Sequence, residues 1–331
     1  MLQLQSDLAQ FKALNSQRAS IIPPDSLRAP RAHEPQRVAK DEIVIVPKLT
    51  KIECDMVGLK LTFDQVLKRY EAENINPWPI LESHERQLEA RQEVSGLLHP
   101  SQIVWRGELR PEQIRGAKAV IALGGDNHLQ WVARWMVDGY MIGVNSDPAR
   151  SEGALTRFQA ADLPQLLERL AAGEFLIADW TRLEGEIDGK PIDLALGEYF
   201  IGETERAFMS RHVIKVAGLS EEQKCSGLLV TTGAGSTGWY NSASRYLHAG
   251  GDPFSRTERL ARFLVTEPYQ GKLASSELLE GSFDAGEELV IHSLNDSRGI
   301  VTADSNSRYT FGRGSVARIR ISEDALKVVS S

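Results

Sequence analysis

Ala119-Val120-Ile121-Ala122-Leu123-Gly124-Gly125-Asp126-Asn127 is an apolar run of strand length that stops at two glycines and a carboxylate. From His128 through Val137 the apolar residues Leu129, Val132, Ala133, Met136 and Val137 recur at helical spacing. The pattern predicts a buried strand, a tight glycine turn and a helix N-terminus, whose free amides and dipole suit an anion. Glycine carries no side chain, so a phosphate can approach the backbone closely. The Asp126 carboxylate can collect a proton from an incoming hydroxyl, and the combination points to phosphoryl transfer. Taken alone, the motif reads equally well as a turn whose aspartate caps the next helix.

Working outward, Glu42-Ile43-Val44-Ile45-Val46 reads as a first buried strand ended by Pro47, and Met141-Ile142-Gly143-Val144-Asn145 as another. Helices are predicted at 64–73 and at 83–97, the second stopping near Gly96. A second strand is predicted at 102–106 and a short helix at 110–117. Strands alternating with helices to about residue 150 imply βα units and a largely parallel sheet. Such sheets bind ligands at the carboxyl ends of their strands, which singles out Asn145. The residues after it, Ser146 to Gly153, are dense in polar turn-formers and read as a ligand contact or a crossing between domains.

Beyond a helix at 163–172 the character changes. Residues 179–187 alternate, and Asp188-Gly189 follows as a hairpin turn. Further strands are read at 195–201, 212–217, 227–231, 289–292, 300–303, 309–311 and 316–321, with helices at 241–249 and 255–263. This predicts a mostly antiparallel, β-rich C-terminal domain. The expected division is an extension at 1–40, an α/β domain at 41–155 and the β-rich domain at 156–319. Residues from about 320 to 331 are expected to pack back on the first domain. Within the extension, 1–18 reads as a short amphipathic helix, and 21–40 is rich in Pro, Arg and Ala. Asp7, Asp25 and Glu34 argue against a transit peptide, which leaves a mobile or partner-packed segment.

The chain has 331 residues and a formal net charge of -7, an acidic balance that disfavours nucleic acid as a partner. No apolar run approaches the roughly 18–20 residues that span a bilayer, so no membrane partner is expected. Cys54 and Cys225 are the two cysteines and form no CxxC pair. A disulfide scaffold and a cysteine-based zinc site are therefore not expected, and a reducing, cytoplasmic compartment fits. His128, His212, His248 and His292 show no metal-ligand spacing.

Gly233-Ala234-Gly235-Ser236-Thr237-Gly238 matches G-x-G-x-x-G between a predicted strand and a predicted helix. It lacks an acidic partner about twenty residues on, so a dinucleotide fingerprint of the usual kind is a poor fit. It reads instead as a second ligand loop whose amides, with the Thr232, Ser236 and Thr237 hydroxyls, hydrogen-bond a polar ligand. The alternative is an ordinary capped helix entry. Gly197-Glu198 interrupts an apolar strand, and its carboxylate is either a satisfied edge residue or a contact for ribose hydroxyls.

In this order the segments resemble the NAD kinase family, within the superfamily that includes diacylglycerol kinases. Gly124-Gly125-Asp126 matches the family's GGD(G) loop, Glu198 the acid of its N-E pair, and 232–239 its T-x-T-G-S-T-A-Y-like stretch. The mitochondrial-type branch is most similar, on 142–153 and on Lys224-Cys225-Ser226-Gly227-Leu228. The resemblance covers roughly residues 41 to 325. It implies a Rossmann-like α/β domain followed by the β-rich one, and transfer of the ATP γ-phosphate to NAD to give NADP. It places Asp126 as the base, with Gly124, Gly125 and Asn127 at the donor phosphates. Asn145, Glu198, Thr232, Gly233, Ala234, Gly235, Ser236, Thr237 and Asp304 fall at the NAD site. Mg²⁺ would bridge the phosphates of ATP, or of polyphosphate as donor, with no protein metal site. A homodimer or homotetramer is implied.

Four features depart from the family pattern. Asn127 and His128 replace glycine and threonine, and Asn127 is expected to tolerate a positive φ in the turn. Gly197 replaces the asparagine of the N-E pair, Ala234 replaces a loop threonine, and Ser226 stands where the main branch has aspartate. They leave open a kinase of another hydroxyl, such as a sugar or lipid-like alcohol, and a catalytically weak NAD(P)-binding sensor.

Overall fold

The computed structural model describes residues 35–247, 252–271, 277–296 and 298–330. The helix expected at 1–18 lies outside them, as do the last residues of the one expected at 241–249. Among the described residues one compact unit holds 35–178 with 327–330, and the other holds 179–326. The division thus falls after Ala178, later than the expected 155.

In chain order the first unit contains β1 (Ile43–Pro47), α1 (Lys51–Leu59), α2 (Phe63–Ala72), α3 (Trp78–Ser95), α4 (Pro111–Ile114), β2 (Ala119–Gly124), α5 (Asp126–Ala133), β3 (Tyr140–Asn145), β4 (Phe158–Gln159) and α6 (Leu163–Ala172). Strand β5 (Ile177–Trp180) begins in it, and the last strand, β18 (Leu326–Val329), ends in it. The sheet order is β1-β2-β3-β18-β5, with β4 against β3. Strands β1, β2 and β3 pair in parallel. Every residue of β2 is buried, which is why it reads as an unbroken apolar run rather than an alternation. Ile43, Ile45, Ile121, Leu123, Ile142 and Val144 form the core with Leu163, Leu166, Leu167 and Leu170 of α6.

Helix α1 was not predicted, although its start is encoded. The Thr50 hydroxyl accepts the Glu53 amide at 3.2 Å, and the Glu53 carboxylate accepts the Thr50 amide at 2.8 Å, a capping box. Three other expectations are corrected. The segment 102–106 is no strand: 3₁₀ turns at Pro100–Gln102 and Arg106–Glu108 leave room for one bridge, Ile103 to Ile45. Helix α5 stops at Ala133, so Met136 is buried from a loop and Val137 is 85% exposed. The positive φ that Asn127 was expected to tolerate is not adopted there, nor at either glycine before it.

The second unit is built from β6 (Leu183–Ile187), β7 (Lys190–Ala195), β8 (Glu198–Glu203), β9 (Ser210–Val216), β10 (Leu219–Cys225), β11 (Gly227–Thr231), α7 (Trp239–Leu247), β12 (Leu260–Thr266), β13 (Glu280–Asp284), β14 (Glu288–Ser293), β15 (Gly299–Ala303), β16 (Ser307–Thr310) and β17 (Val316–Ile321). Two antiparallel six-stranded sheets run β10-β9-β14-β17-β6-β7 and β13-β12-β11-β8-β15-β16. One apolar cluster draws on both, with Leu183, Ile214, Ile291 and Ile319 from the first and Tyr199, Val230, Phe263 and Val301 from the second. Asp188 and Gly189 turn the β6–β7 hairpin with φ of 51° and 76°, as the Asp-Gly pair predicts.

The expected helix at 255–263 is wrong. Residues 260–266 form β12, paired on both sides by β11 and β13, and Leu260, Ala261, Phe263, Leu264 and Val265 are buried. A strand covered on both faces loses its alternation and can mimic a helical run. The single strand read at 179–187 is two, β5 and β6, and the one read at 195–201 is the end of β7 and the start of β8. Strand β10 was missed because Ser220, Glu221, Glu222, Gln223 and Lys224 make it polar. Among the described residues no helix is long and apolar enough to cross a membrane.

Candidate active site

Parallel pairing sets Gly124 opposite Asn145, so β2 and β3 release their chains at the same edge of the sheet. Gly125 caps α5 in an extended conformation, φ -105° and ψ -173°, and Asp126 is the first helical residue. Asn127 is the second and is exposed, so its side chain does not fill the turn. Glycine at 124 is demanded by contact rather than by dihedral: a Cβ there would lie 2.8 Å from the His128 side chain. The His128 ring is buried, and its Nε2 donates to the Val46 carbonyl at 2.7 Å. Burial lowers its pKa to about 4, so the imidazole is neutral and structural.

Asp126 does not cap its own helix. Its Oδ2 accepts the Ala154 amide at 2.9 Å, and its Oδ1 accepts the Leu155 amide at 2.8 Å and, more loosely, the Thr156 hydroxyl at 3.4 Å. A carboxylate offers about four lone-pair positions, so a hydroxyl can still be accepted. The backbone fixes the group's direction. The loop it grips is tied down elsewhere as well. Asn145 accepts the Asp147 amide at 3.0 Å and donates to the Ser151 carbonyl at 3.1 Å. Buried Asp147 in turn accepts from Arg86 Nε of α3 at 2.7 Å and from the Ser83 hydroxyl. A cavity of about 470 Å³ opens beside these residues, bordered by Asn145, Ser151, Gly153, Thr156 and Arg157.

The second unit brings together the remaining predicted residues. At the β15–β16 turn Asp304 has φ 48°, and its carboxylate accepts the amides of Leu196, Gly197 and Glu198 at 2.8, 2.7 and 3.0 Å. Burial raises its pKa to about 6 against the pull of those three amides. Glu198 opens β8 with 9% exposure, and its carboxyl takes no hydrogen bond from the described residues. Burial first, then the charge of Asp304, pushes it up to about 8. A neutral Glu198 can donate as well as accept.

The loop after β11 is wired inward. The Thr232 hydroxyl donates to the Leu196 carbonyl at 2.5 Å and accepts the Ala234 amide at 3.1 Å. Ser236 donates to the Gly233 carbonyl at 2.7 Å and accepts the Phe254 amide at 3.2 Å. The expectation that these two hydroxyls face a ligand is therefore corrected: they hold the loop's shape. Thr237 is half-buried at the end of a 3₁₀ turn, Gly235–Thr237. Gly235 lies so close to the Gly197 carbonyl that a Cβ would sit 2.3 Å from its oxygen, and Gly233 lies as close to Ser255. Gly197 thus has a backbone role, accepting from the Thr232 amide at 2.9 Å and the Thr231 hydroxyl at 3.1 Å. Ala234 is buried, and Ser226 donates to Glu267.

The structure therefore gathers Gly124, Gly125, Asp126, Asn127 and Asn145 in one unit, and Glu198, 232–237 and Asp304 in the other. Sequence reading missed Lys48 and Arg106, two cations near the first group. The signal for Lys48 was the Pro47-Lys48 step that ends β1.

No model of a known protein family matches the chain. NAD kinase 2, mitochondrial, from Rattus norvegicus is 33% identical over 190 residues, 43% of this chain and 44% of that protein. The Homo sapiens protein of the same name is 32% identical over 189 residues, 43% and 42% of the two chains. An NAD kinase from Methanopyrus kandleri is 29% identical over 125 residues, 38% and 45%. The match thus spans less than half the length of these relatives. Among solved structures, an NAD kinase from Archaeoglobus fulgidus in complex with ATP is similar with a TM-score of 0.58 and 16% identity, over 87% of this chain and 93% of that one. These likenesses bear out the resemblance to the NAD kinase family, and the chain has the NAD kinase fold.

Proposed function

We propose that this chain is an NAD kinase, which transfers the ATP γ-phosphate to the 2'-hydroxyl of the adenosine ribose of NAD. The observation that carries the reading is Asp126, a half-buried carboxylate at the head of the helix after the glycine loop, gripped by two backbone amides with lone pairs to spare. The likeness to proteins named NAD kinase supports the choice of acceptor.

In the reaction the ribose oxygen bonds to the γ-phosphorus as the bond to the β,γ-bridging oxygen breaks. ADP leaves with that electron pair, and the hydroxyl proton goes to Asp126. The transition state is loose, so alignment and charge neutralisation supply most of the acceleration. The free amides at the start of α5 face the donor phosphates, while the carboxylate orients the attacking hydroxyl. Among the described residues no cluster of three His, Cys, Asp or Glu could cage a metal. Mg²⁺ would come with the donor's phosphates and would neutralise the charge that develops on them. Glu198, the loop at 232–237 and Asp304 hold NAD in this reading, with a cytoplasmic homo-oligomer as its expected form. NADP formation from NAD is the test, with MgATP and with polyphosphate offered separately. No turnover with either donor overturns the proposal.

A further inference from the structure

Two cations stand beside the glycine loop without counter-ions among the described residues. Lys48 directly follows β1, and its amide donates to the Leu123 carbonyl at 3.1 Å, which sets it against the end of β2. Arg106 is half-buried and lays its guanidinium 4.8 Å from the centre of the Trp131 ring on α5. Trp131 is stacked on His128, with ring centres 6.4 Å apart and planes within 8°. Both positive charges act on that histidine, whose side chain in turn packs against Gly124. The pair therefore flanks the loop that precedes Asp126.

Neighbouring arginines show what ordinary pairing looks like in this unit. Arg91 meets Glu53 and Arg86 meets Asp147, each at 2.7 Å. Lys48 and Arg106 make no ion pair with any described residue. Arg106 is moreover partly desolvated and repelled by Arg134, so its charge is held at a cost that an anion would offset. In a chain with more acidic than basic residues, two half-buried cations that no described carboxylate pairs at the carboxyl edge of a parallel sheet mark a place for an external anion.

We infer that Lys48 and Arg106 bind a linear chain of phosphate groups that runs past the glycine loop, and so select a donor with several linked phosphates. The inference rests on the kinase reading for its catalytic use but not for the binding itself. Two sources share that chemistry, the tail of a nucleoside triphosphate and inorganic polyphosphate.

Calorimetry on the full chain with inorganic tripolyphosphate, MgATP, AMP and NAD tests it. Arg106→Gln and Lys48→Gln are each expected to weaken tripolyphosphate and MgATP by roughly tenfold or more, the loss of one charge-assisted contact. AMP and NAD affinities stay within about twofold, and Arg106→Lys, which keeps the charge but loses the planar stack on Trp131, binds tripolyphosphate and MgATP more weakly than wild type but more tightly than Arg106→Gln. Binding of MgATP with none of tripolyphosphate assigns the site to the nucleotide, and comparable binding of both admits polyphosphate; either supports the inference. Unchanged affinities in both glutamine variants overturn it. So does a uniform loss for all four ligands together with a lower Tm, which would mean a structural role. A wild-type protein that binds tripolyphosphate in an Arg106-dependent way but forms no NADP defeats the kinase proposal alone. NADP formation with an unmoved KM for MgATP in both variants defeats this inference alone.

Discussion

Two glycine loops follow two fully buried strands in this chain, and they spend their polar atoms in opposite ways. At 124–127 the turn is short and the carboxylate in it reaches sideways, to the amides at 154 and 155, while Lys48 and Arg106 nearby form no ion pair among the described residues. At 232–238 the Thr232 and Ser236 hydroxyls turn inward to the loop's own backbone and to 196–197, and the neighbouring Glu198 carboxyl takes no hydrogen bond from the described residues. The first loop presents charge. The second presents a shaped backbone beside a carboxyl that burial keeps neutral. A phosphoryl donor needs fixed amides and cations, whereas a dinucleotide needs a matched surface with few charges of its own.

The largest effect is expected at the first loop. Asp126→Asn keeps an oxygen for one of the two amides but removes the base, so kcat should fall by about 10²–10⁴-fold with a small change in Tm. Activity within tenfold of wild type would remove Asp126 from the chemistry. Asp126→Ala is a poorer probe, because it also strands the amides of Ala154 and Leu155.

Next comes a substitution that sets the loops against each other. A Cβ at Gly235 would meet the Gly197 backbone oxygen at 2.3 Å, whereas at Gly125 it would meet only the Ser151 hydroxyl at 3.2 Å. Gly235→Ala should therefore cost about 1–3 kcal/mol, read as a lower Tm and a raised KM for NAD. Gly125→Ala should leave Tm nearly unmoved, since one hydroxyl can rotate away. Equal losses at the two sites would contradict the description of the second loop as the rigid one.

The buried carboxyls give the comparison a pH axis. Glu198 has a folded pKa of about 8, above its ordinary 4.5, so the folded state holds the proton that the unfolded state has released. Its contribution is complete below 4.5 and is lost as pH rises through 8. Asp304 acts in the same direction but is spent by about pH 6. Between pH 7 and 8, above the range in which the buried histidines act, thermal stability should decline by about 1 kcal/mol, and Glu198→Gln should flatten that slope. NAD affinity should weaken over the same range in the wild type only.

How much of this was legible depends on where each signal resides. The strand, the two glycines and Asp126 were readable because apolar runs and glycine turns are local. The direction of the Asp126 carboxylate was not, since its partners lie 28 and 29 residues away. For Thr232 and Ser236, composition indicated a polar loop, but only folding shows that their partners are backbone atoms of 196 and 233. Strand β12 failed for a related reason: burial on both faces erased its period. Asn127 stood out in the sequence because the family has glycine there, yet as an exposed second residue of α5 it asks nothing of the turn. His128, beside it, proves the more consequential change, since its ring fills the space that glycine at 124 leaves.

That histidine yields the smallest expected effect and the mirror image of Glu198. Its folded pKa of about 4 lies below the ordinary 6.5, so below pH 6.5 the unfolded chain takes a proton that the folded ring refuses. Stability is lost as pH falls from 6.5 toward 4, the reverse of the carboxyl's behaviour. From pH 7 to 6 the loss is below about 1 kcal/mol. His128→Gln keeps a donor for the Val46 carbonyl but cannot charge, so from pH 7 to 6 its Tm should gain about 1–3 °C relative to the wild type, the carboxyls and His212 acting equally on both. Because His212 in the second unit is also buried with a pKa near 4, the single substitution removes only one of two acid-sensitive sites. A wild type and variant whose Tm values run in parallel over this interval would mean that the His128 ring opens to water, and with it the packing that holds Gly124 and the start of α5 in place.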